Sequence, residues 1–263
     1  MVLSDPHKPH RRDRRQQLIA EVVLARGSAT AQELAAKFEV SLNTVHRDLD
    51  DLARRGVVRK FHGGVTAQPS GVFESNVAYR MTRMVPEKRR VAQHAARYIE
   101  PGMSVMLDDS TTTLQLIPSL AERTPLHVVT NFLEAIRQLS EIDGVTLMAL
   151  GGDYDPLHNA FEGVLCLQAI ESLRVDATFI STSAVFRADA FHQEQRVVAF
   201  KRAMLEAASK RYLLVDHTKL GRPALHRLVP LSAFDLVVVD AGAPADALRA
   251  LDEYRINYEV ANG

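Results

Sequence analysis

Residues 41–64 decide the fold of the N-terminal part of this chain, and they are SLNTVHRDLDDLARRGVVRKFHGG. Ser41 is a good helix N-cap, because its hydroxyl can accept a hydrogen bond from a free backbone N–H group of the first turn. Val45, Leu49 and Leu52 then follow at helical spacing, so that one face of the helix is apolar and packs inward. Polar residues are left on the other faces, where several could meet base edges or phosphates. The stretch therefore predicts a helix that can enter a groove of DNA.

The residues before this helix predict the rest of a helix-turn-helix unit. An apolar stripe over residues 18–23 follows a cluster of arginines at 11–15 and indicates a first helix. Thr30 and Glu33 form a capping box, in which the two side chains satisfy backbone N–H groups at the start of a second helix. The turn to the third helix is only a few residues long. Any three-helix bundle needs caps and apolar stripes, so it is their combination with the turn length and the arginines that favours DNA binding.

A basic wing is predicted after the third helix. Gly56 suits the end of that helix, because glycine adopts the left-handed conformation that other residues resist. Residues 57–64 then look like a pair of strands that carries positive charge. We expect base contacts from the helix and phosphate contacts from the wing. The predicted DNA-binding residues are Ser41, Asn43, Thr44, His46 and Arg47 in the helix, and Arg59, Lys60 and His62 in the wing.

Residues 14–64 resemble the N-terminal domain of the DeoR family of bacterial transcriptional regulators. The resemblance rests on Arg14 with the apolar spacing after it, on Ser41-x-x-Thr44-Val45-His46-Arg47-Asp48-Leu49, and on Arg59-Lys60-Phe61-His62-Gly63-Gly64. His46 stands where that family more often has arginine. The resemblance implies a small α+β winged helix-turn-helix domain over residues 1–64 that binds a double-stranded DNA operator.

Charge is distributed unevenly along the chain. Residues 1–62 contain 12 Lys and Arg against 8 Asp and Glu, which leaves 20 against 24 of the chain's 32 basic and 32 acidic residues for the remainder. A basic N-terminal part (the head, residues 1–62) and an acidic remainder suit a protein in which only the head binds phosphates. Because the excess is modest, we expect two heads to act together, in a homodimer or a homotetramer.

Residues 76–263 are predicted to form a second domain of α/β class, after a linker over residues 65–75 whose composition is loose and polar. Short apolar runs alternate here with helical patterns, which indicates a mainly parallel sheet covered by helices. The predicted strands are Ser104–Leu107, His127–Val129, Val145–Leu150, Thr178–Ile180, Tyr212–Val215 and Leu236–Val239. The predicted helices are 86–99, 112–121, 131–140, 163–173, 194–209 and 244–255.

Polar residues follow several of these strands and predict a ligand pocket. In such folds, ligands bind beyond the carboxyl ends of the strands, where helix N-termini gather and can hold an anion. Ser, Thr and Gly at these junctions also serve as plain helix caps, so it is the repetition of polar junctions, with two lysines, that favours a pocket. The predicted effector-binding residues are Asp108, Ser110, Thr111, Thr112, Thr130, Asn131, Gly151, Gly152, Lys201 and Lys219.

Residues 75–235 resemble the effector-binding domain of DeoR-type regulators, which is similar in fold to ribose-5-phosphate isomerase and to coenzyme A transferases. The resemblance implies a pocket for a phosphorylated sugar or a related metabolite. Ser110 stands where the family usually has glycine, and residues 181–183 occupy a stretch that is usually richer in glycine. The matching pieces are Leu107-Asp108-Asp109-Ser110-Thr111-Thr112, Thr130-Asn131, Gly151-Gly152, Lys201-Arg202-Ala203-Met204 and Asp216-His217-Thr218-Lys219.

Together these features predict a sequence-specific transcriptional regulator, a repressor of carbohydrate or polyol metabolism genes whose DNA binding a phosphorylated sugar or related metabolite controls. The alternative is a phosphosugar isomerase or transferase-like enzyme with an appended DNA-binding head. Asp108, Asp109 or Glu194 would then supply a general base for proton transfer beside a carbonyl. No nucleophile, base and orienting group can be picked out together from the sequence, so we expect no catalytic residues and no enzyme activity.

The sequence predicts neither a cofactor nor a metal site, because no pair of its ten histidines has the close spacing of metal ligands. Cys166 is the single cysteine, which excludes an intrachain disulfide and fits a reducing compartment. No apolar segment approaches the ~18 residues that a membrane span needs, and no signal-type apolar core is present. We therefore expect a cytoplasmic protein without a membrane partner.

Overall fold

The computed structural model describes residues 11–26, 28–54, 58–61, 63–67 and 76–262. The chain divides into two compact units, and the division falls between Thr82 and Arg83. Each unit has a hydrophobic core of its own.

The first unit has the predicted winged helix-turn-helix architecture. Val45, Leu49 and Leu52 are buried on one face of the third helix, where they pack with Ile19 and Leu34 of the two preceding helices. The elements are α1 (Arg11–Arg26), β1 (Ser28–Thr30), α2 (Ala31–Phe38), α3 (Leu42–Arg54), β2 (Val58–Phe61), β3 (Gly64–Ala67) and a short α4 (Val77–Arg80).

Both predicted helix starts are confirmed by their hydrogen bonds. The Thr30 hydroxyl accepts from the backbone N–H group of Glu33 at 3.2 Å, and the Glu33 carboxylate accepts from the N–H group of Thr30 at 2.7 Å. The Ser41 hydroxyl accepts from the N–H group of Thr44 at 3.2 Å. These bonds satisfy donors that have no partner within the helix, and so they fix where α2 and α3 begin.

The wing is a three-stranded antiparallel sheet in the order β1-β3-β2. Gly64 lies against β1 so closely that a Cβ atom there would stand 2.5 Å from the carbonyl oxygen of Ala29. Because β3 continues to Ala67, the linker predicted from residue 65 starts too early, and its first residues are paired strand instead. Gly56, His62 and residues 68–75 of the predicted linker lie outside the described residues.

The second unit is built on a seven-stranded sheet whose neighbouring strands are all parallel, in the order β15-β14-β12-β9-β4-β5-β6. Its strands are β4 (Ser104–Leu107), β5 (Leu126–Thr130), β6 (Val145–Ala149), β9 (Val175–Ile180), β12 (Ala208–Val215), β14 (Leu236–Asp240) and β15 (Tyr258–Ala261). β14 is buried at every position, as a strand covered on both faces should be.

Helices follow these strands, as the alternation predicted. Two small antiparallel sheets beside the large sheet were not predicted. The helices are α5 (Val85–Ala95), α6 (Ile117–Leu120), α7 (Leu133–Leu139), α8 (Val164–Glu171), α9 (Gln195–Ala207) and α10 (Ala245–Glu253). The two small sheets are the hairpin β7 (Asp153–Asp155) with β8 (Ala160–Glu162), and the sheet of β10 (Ala184–Phe186), β11 (Asp189–His192) and β13 (His226–Pro230). Within the described residues, no helix combines the length and apolarity needed to cross a membrane.

One predicted helix differs from the structure, and one strand of the large sheet was not predicted. The helix predicted over 112–121 is a chain of short 3-10 and α turns from Thr113 to Arg123, because Pro118 has no N–H group to continue an α-helical ladder. β15 was not predicted, since the alternation in Tyr258–Ala261 is weak and the strand lies at an edge of the sheet.

The order of the strands places a topological switch point in the middle of the sheet. The chain runs from β4 to β5 and β6 on one side, and then returns to β9 on the other side of β4. Loops after β4 and β9 therefore diverge at this point and leave a crevice beyond the carboxyl ends of the strands, which is where doubly wound sheets bind ligands.

Candidate functional sites

The exposed side of α3 is the candidate surface for DNA. Asn43 and Arg47 are exposed and His46 is half-buried, while the apolar face of the same helix is in the core. Ser41 and Thr44 differ from these residues, because their hydroxyl groups are 2.8 Å apart and both take part in the helix cap. The side chains best placed to reach base edges are therefore Asn43, His46 and Arg47.

Two of the N-terminal arginines hold the helices together. Arg15 donates through Nε to a carboxylate oxygen of Asp48 at 2.6 Å, and Gln16 donates to the other oxygen at 3.1 Å. Asp48 is buried, and Arg12 pairs with Asp51 one turn further along α3. This network ties α1 to the back of α3 and so fixes which side of α3 is presented. The arginine cluster favoured DNA binding in the sequence, whereas Arg12 and Arg15 have an intramolecular role in the structure.

In the wing, Arg59 and Lys60 are both exposed on β2. Lys60 Nζ lies 2.5 Å from a carboxylate oxygen of Asp50 on α3, and this contact lowers the pKa of Asp50. Since both partners are about half exposed, the pair can open at little cost when a phosphate approaches. The predicted contact residue His62 lies outside the described residues.

The loop after β4 is organised around the buried carboxylate of Asp108. One of its oxygens accepts from the backbone N–H group of Ser110 at 3.1 Å and from the Thr113 hydroxyl at 2.7 Å. The other accepts from the N–H group of Ser181 at 2.9 Å, across the switch point. Lys201 of α9 also donates to this second oxygen. Asp108 thus joins the loops after β4 and β9, and its acceptor positions are used within the protein.

A second lysine, which the sequence interpretation missed, reaches the same loop. Lys88 of α5 is 5% exposed, and its Nζ atom donates to the Thr111 hydroxyl at 3.0 Å. Thr111 is 3% exposed. A buried ammonium group beside a loop of hydroxyl side chains and backbone N–H groups can hold an anionic group of a ligand. Lys88 carried no signal in the sequence, because it lies in an ordinary charged helix pattern.

A small cleft, partly open to solvent, lies beside this loop. His158, at the turn of the β7–β8 hairpin, is 3% exposed and contacts two carboxylates. Its Nε2 atom is 2.9 Å from Glu194 and its Nδ1 atom is 3.4 Å from Asp109. The hairpin is thereby fastened to the loop after β4 and to the start of α9. The cleft is lined by Asp109, Asn131, His158, Ala160, Glu162, Val197 and Phe200.

Glu162 on β8 is an acid of the cleft whose pKa is raised. Burial raises the pKa of its carboxyl group, and a hydrogen bond with Asp155 raises it further, whereas Arg196 opposes the shift. Arg196 Nη1 lies 2.9 Å from Glu162 and also approaches Asp155 and Glu194. The raised pKa indicates that additional negative charge is unfavourable in this part of the cleft.

The predicted effector residues are brought together only in part. Asn131 lines the cleft, and Asp108, Ser110, Thr111, Thr112 and Lys201 form the buried loop and its support. The Thr130 hydroxyl accepts from the N–H group of Phe132 at 3.2 Å, which is a capping role. Gly151 is exposed, whereas a Cβ atom on Gly152 (φ 145°) would stand 2.3 Å from the carbonyl oxygen of Glu162.

Lys219 follows β12, which is two strand positions from β4 and three from β5 in the sheet, or roughly 10 and 14 Å at the usual spacing of strands. His158 and Glu162 were not predicted at all, because they lie in a hairpin that has no regular apolar pattern. Within the described residues, no group of three or more His, Cys, Asp or Glu side chains is arranged to hold a metal ion.

Comparison with known families matches both units. The DeoR-like helix-turn-helix domain matches residues 15–70, and the DeoR C terminal sensor domain matches residues 83–241.

Curated relatives match over nearly the whole chain. The uncharacterized regulator YgbI of Escherichia coli K12 is 31% identical, with 94% of this chain and 97% of the relative covered. The glycerol-3-phosphate regulon repressor of the same strain is 28% identical, with 92% and 96% covered. The L-fucose operon activator of Haemophilus influenzae is 28% identical, with 92% and 97% covered.

Among solved structures, ribose 5-phosphate isomerase A from Methanocaldococcus jannaschii aligns with a TM-score of 0.37 and 19% identity, over 51% of this chain and 53% of that one. No property of the site follows from a likeness of this extent.

Proposed function

Because this chain belongs to the DeoR family of transcriptional regulators, we propose that it is a cytoplasmic repressor of carbohydrate or polyol metabolism genes. In this proposal it binds paired operator half-sites as a homodimer or homotetramer, and a phosphorylated sugar or polyol in the second unit controls that binding. The name of the glycerol-3-phosphate regulon repressor supports the sign of regulation and the class of effector. The name of the L-fucose operon activator shows that a relative of similar identity activates instead.

The observation that carries the effector class is the contact between Lys88 and Thr111. A buried ammonium group at hydrogen-bond distance from a hydroxyl loop, next to the switch point of a parallel sheet, suits the phosphate group of a small metabolite. In our proposal, Thr111, Thr112 and Lys88 hold that group. The ion pair of Asp108 and Lys201 stabilises the conformation of this loop.

The surface of α3 supports DNA binding through base contacts. Asn43, His46 and Arg47 would face the major groove, and Arg59 and Lys60 would contact phosphates. Two heads on one duplex would read half-sites separated by a whole number of helical turns, about 34–36 Å each. The effector must bind one arrangement of the heads more tightly than another, because only differential affinity shifts the equilibrium.

The enzyme alternative is disfavoured by the use of the acidic residues. Asp108 would be a candidate base, but its oxygens already accept from two backbone N–H groups, a hydroxyl and Lys201. Asp109 and Glu194 both flank His158. We therefore propose that this pocket binds its ligand without converting it. Incubation with pentose phosphates would reveal interconversion if the alternative were correct.

The proposal is tested by selecting bound sequences from a random duplex DNA library and measuring the affinity of the selected DNA with and without phosphorylated sugars and polyols. We expect an enriched sequence with two related half-sites, and at least one metabolite that weakens binding tenfold or more. Failure to enrich any sequence would overturn the DNA-binding role. An enriched operator whose affinity no phosphorylated metabolite changes would overturn the effector class.

A further inference from the structure

Asn131 lines the cleft and carries a buried acceptor atom that the described part of the protein leaves unused. The residue is 3% exposed and follows β5. Its Nδ2 atom donates to the carbonyl oxygen of Phe161 at 2.8 Å, which fixes the orientation of the amide. Within the described part of the chain, no donor lies within hydrogen-bond distance of its buried Oδ1 atom. A buried acceptor without a donor is costly, so the atom is placed to receive a hydrogen bond from a ligand.

The remaining walls of the cleft limit what that ligand can be. Asp109 and Glu162 present carboxylates, while Val197 and Phe200 present apolar surface. Arg196 and His158 already pair with these two acids, so a phosphate or carboxylate group in this part of the cleft would compete with them for the same partners. A hydroxyl group can donate to Oδ1 without added charge, and the C–H face of a polyol or sugar can pack on the apolar wall.

The position of Asn131 relative to the anion-binding loop is set by the sheet. Leu107 at the end of β4 pairs with Thr130 at the end of β5, so the loop that contains Thr111 and the residue Asn131 leave neighbouring strands. Neighbouring strands are about 4.8 Å apart. A small metabolite can therefore place an anionic group at Thr111 and a hydroxyl group at Asn131.

We propose that Asn131 is a specificity-determining residue that accepts a hydrogen bond at Oδ1 from a hydroxyl group of the effector, away from its anionic group. The effector class is then a phosphate ester whose carbon chain carries free hydroxyl groups. This inference rests on the proposed function, because it assumes that the anionic group lies at Lys88 and Thr111.

The test compares matched esters on the full-length protein by titration calorimetry. Hexyl phosphate has a phosphate group and a chain without hydroxyls, and glucitol 6-phosphate adds hydroxyl groups to a chain of the same length. We expect the wild type to bind glucitol 6-phosphate at least about tenfold more tightly. In Asn131→Ala, this preference should fall to about threefold or less, while affinity for hexyl phosphate is unchanged, which also shows that the variant is folded.

Other outcomes overturn the inference in distinguishable ways. Equal affinity of the wild type for the two esters, or a preference that survives in Asn131→Ala, overturns the role of Asn131 and leaves the proposed function standing. Tenfold tighter binding of 2-amino-2-deoxyglucitol 6-phosphate than of glucitol 6-phosphate would show that an ammonium group, not a hydroxyl, is bound. If neither ester binds and neither changes the affinity for selected DNA, this inference fails, and the proposed effector class fails with it when no other phosphorylated sugar or polyol changes that affinity.

Discussion

Lys201 on α9 and Asp108 at the end of β4 form an ion pair in which the lysine side chain is 2% exposed and the aspartate side chain is fully buried. The two residues are 93 positions apart in the chain. Their contact joins the helix that follows the switch point to the loop that precedes it. Asp108 also accepts from Ser181, so one carboxylate connects three segments around the candidate site.

Replacement of Lys201 by Met should lower the free energy of unfolding of the second unit by about 3–5 kcal/mol, because it leaves the Asp108 carboxylate buried without its cation. Urea denaturation followed by circular dichroism would measure the change. Lys210→Met is the matched control, since Lys210 pairs with Asp235 at 3.0 Å on the surface and should cost only about 0–1 kcal/mol. Equal losses in the two variants would contradict this account.

Arg47→Ala should remove preference for the operator without unfolding the head, because Arg47 is exposed on α3. Loss of a base contact should reduce discrimination by about 1–3 kcal/mol, while non-specific affinity falls only slightly. Fluorescence anisotropy on selected and scrambled DNA would measure both. Arg249→Ala is the control, because it removes an exposed arginine from the other unit. Full discrimination by Arg47→Ala would mean that α3 is not the recognition helix.

Lys88→Met should weaken binding of a phosphorylated effector by roughly tenfold to a hundredfold, since a charge-assisted hydrogen bond is lost. Lys219→Met should change it by less, because Lys219 follows β12, two strand positions from β4 and the loop that contains Thr111. Without effector, both variants should bind DNA with the affinity of the wild type. Calorimetry with glucitol 6-phosphate and anisotropy with the selected operator would measure these effects. A larger effect at Lys219 would move the anion site toward β12.

Cys166 should be almost inert in the native protein. Burial raises the pKa of its thiol to about 12, and the thiolate is the species that reacts with disulfide reagents. At about pH 8, labelling of native protein should be about a thousandfold slower than labelling in concentrated guanidinium chloride. Because Cys166 is the only cysteine, the absorbance of the released thiolate reports on this site alone. Fast labelling of native protein would show that α8 opens readily.

Glu162→Gln should change how stability depends on pH. The folded pKa of Glu162 is raised above its ordinary value of 4.5, so the native state binds more protons than the unfolded state between the two values. The free energy of unfolding should therefore fall as pH rises through this window, and it should fall less in the variant. Denaturant titrations at several pH values would measure the slopes.

Glu134→Gln is the control of opposite sign for that experiment. Hydrogen bonds from Arg137 lower the pKa of Glu134, so its contribution to stability is present above 4.5 and is lost as pH falls below that value. If both substitutions changed the slope of the free energy of unfolding against pH in the same direction, the raised pKa of Glu162 would be contradicted.

Several features could be predicted because they depend on neighbours in the chain. The capping box of Thr30 and Glu33 and the apolar face of α3 are local patterns, and both are present as predicted. The alternation of strands and helices also gave the parallel sheet, since a buried strand is a continuous apolar run whatever lies beside it. The hairpin around His158 and the edge strand β15 have no such pattern and were missed.

The same distinction applies to the residues of the candidate site. From the sequence came the loop Asp108–Thr113, Asn131 and Lys201, because polar residues directly follow strands whose carboxyl ends share one edge of the sheet. The sequence could not show that Lys88 reaches Thr111, or that His158 joins Asp109 to Glu194.

The sequence alone therefore determined the helix-turn-helix head, the parallel sheet and the edge of the sheet where a ligand would bind, because helix caps and apolar periodicity act over a few residues. Only the tertiary structure decided which charges meet there. Lys88 reaches Thr111, and His158 joins Asp109 to Glu194, through contacts between residues that are far apart in the chain. The tertiary structure also placed Lys219, which the sequence had grouped with Asn131, after β12, three strand positions from β5.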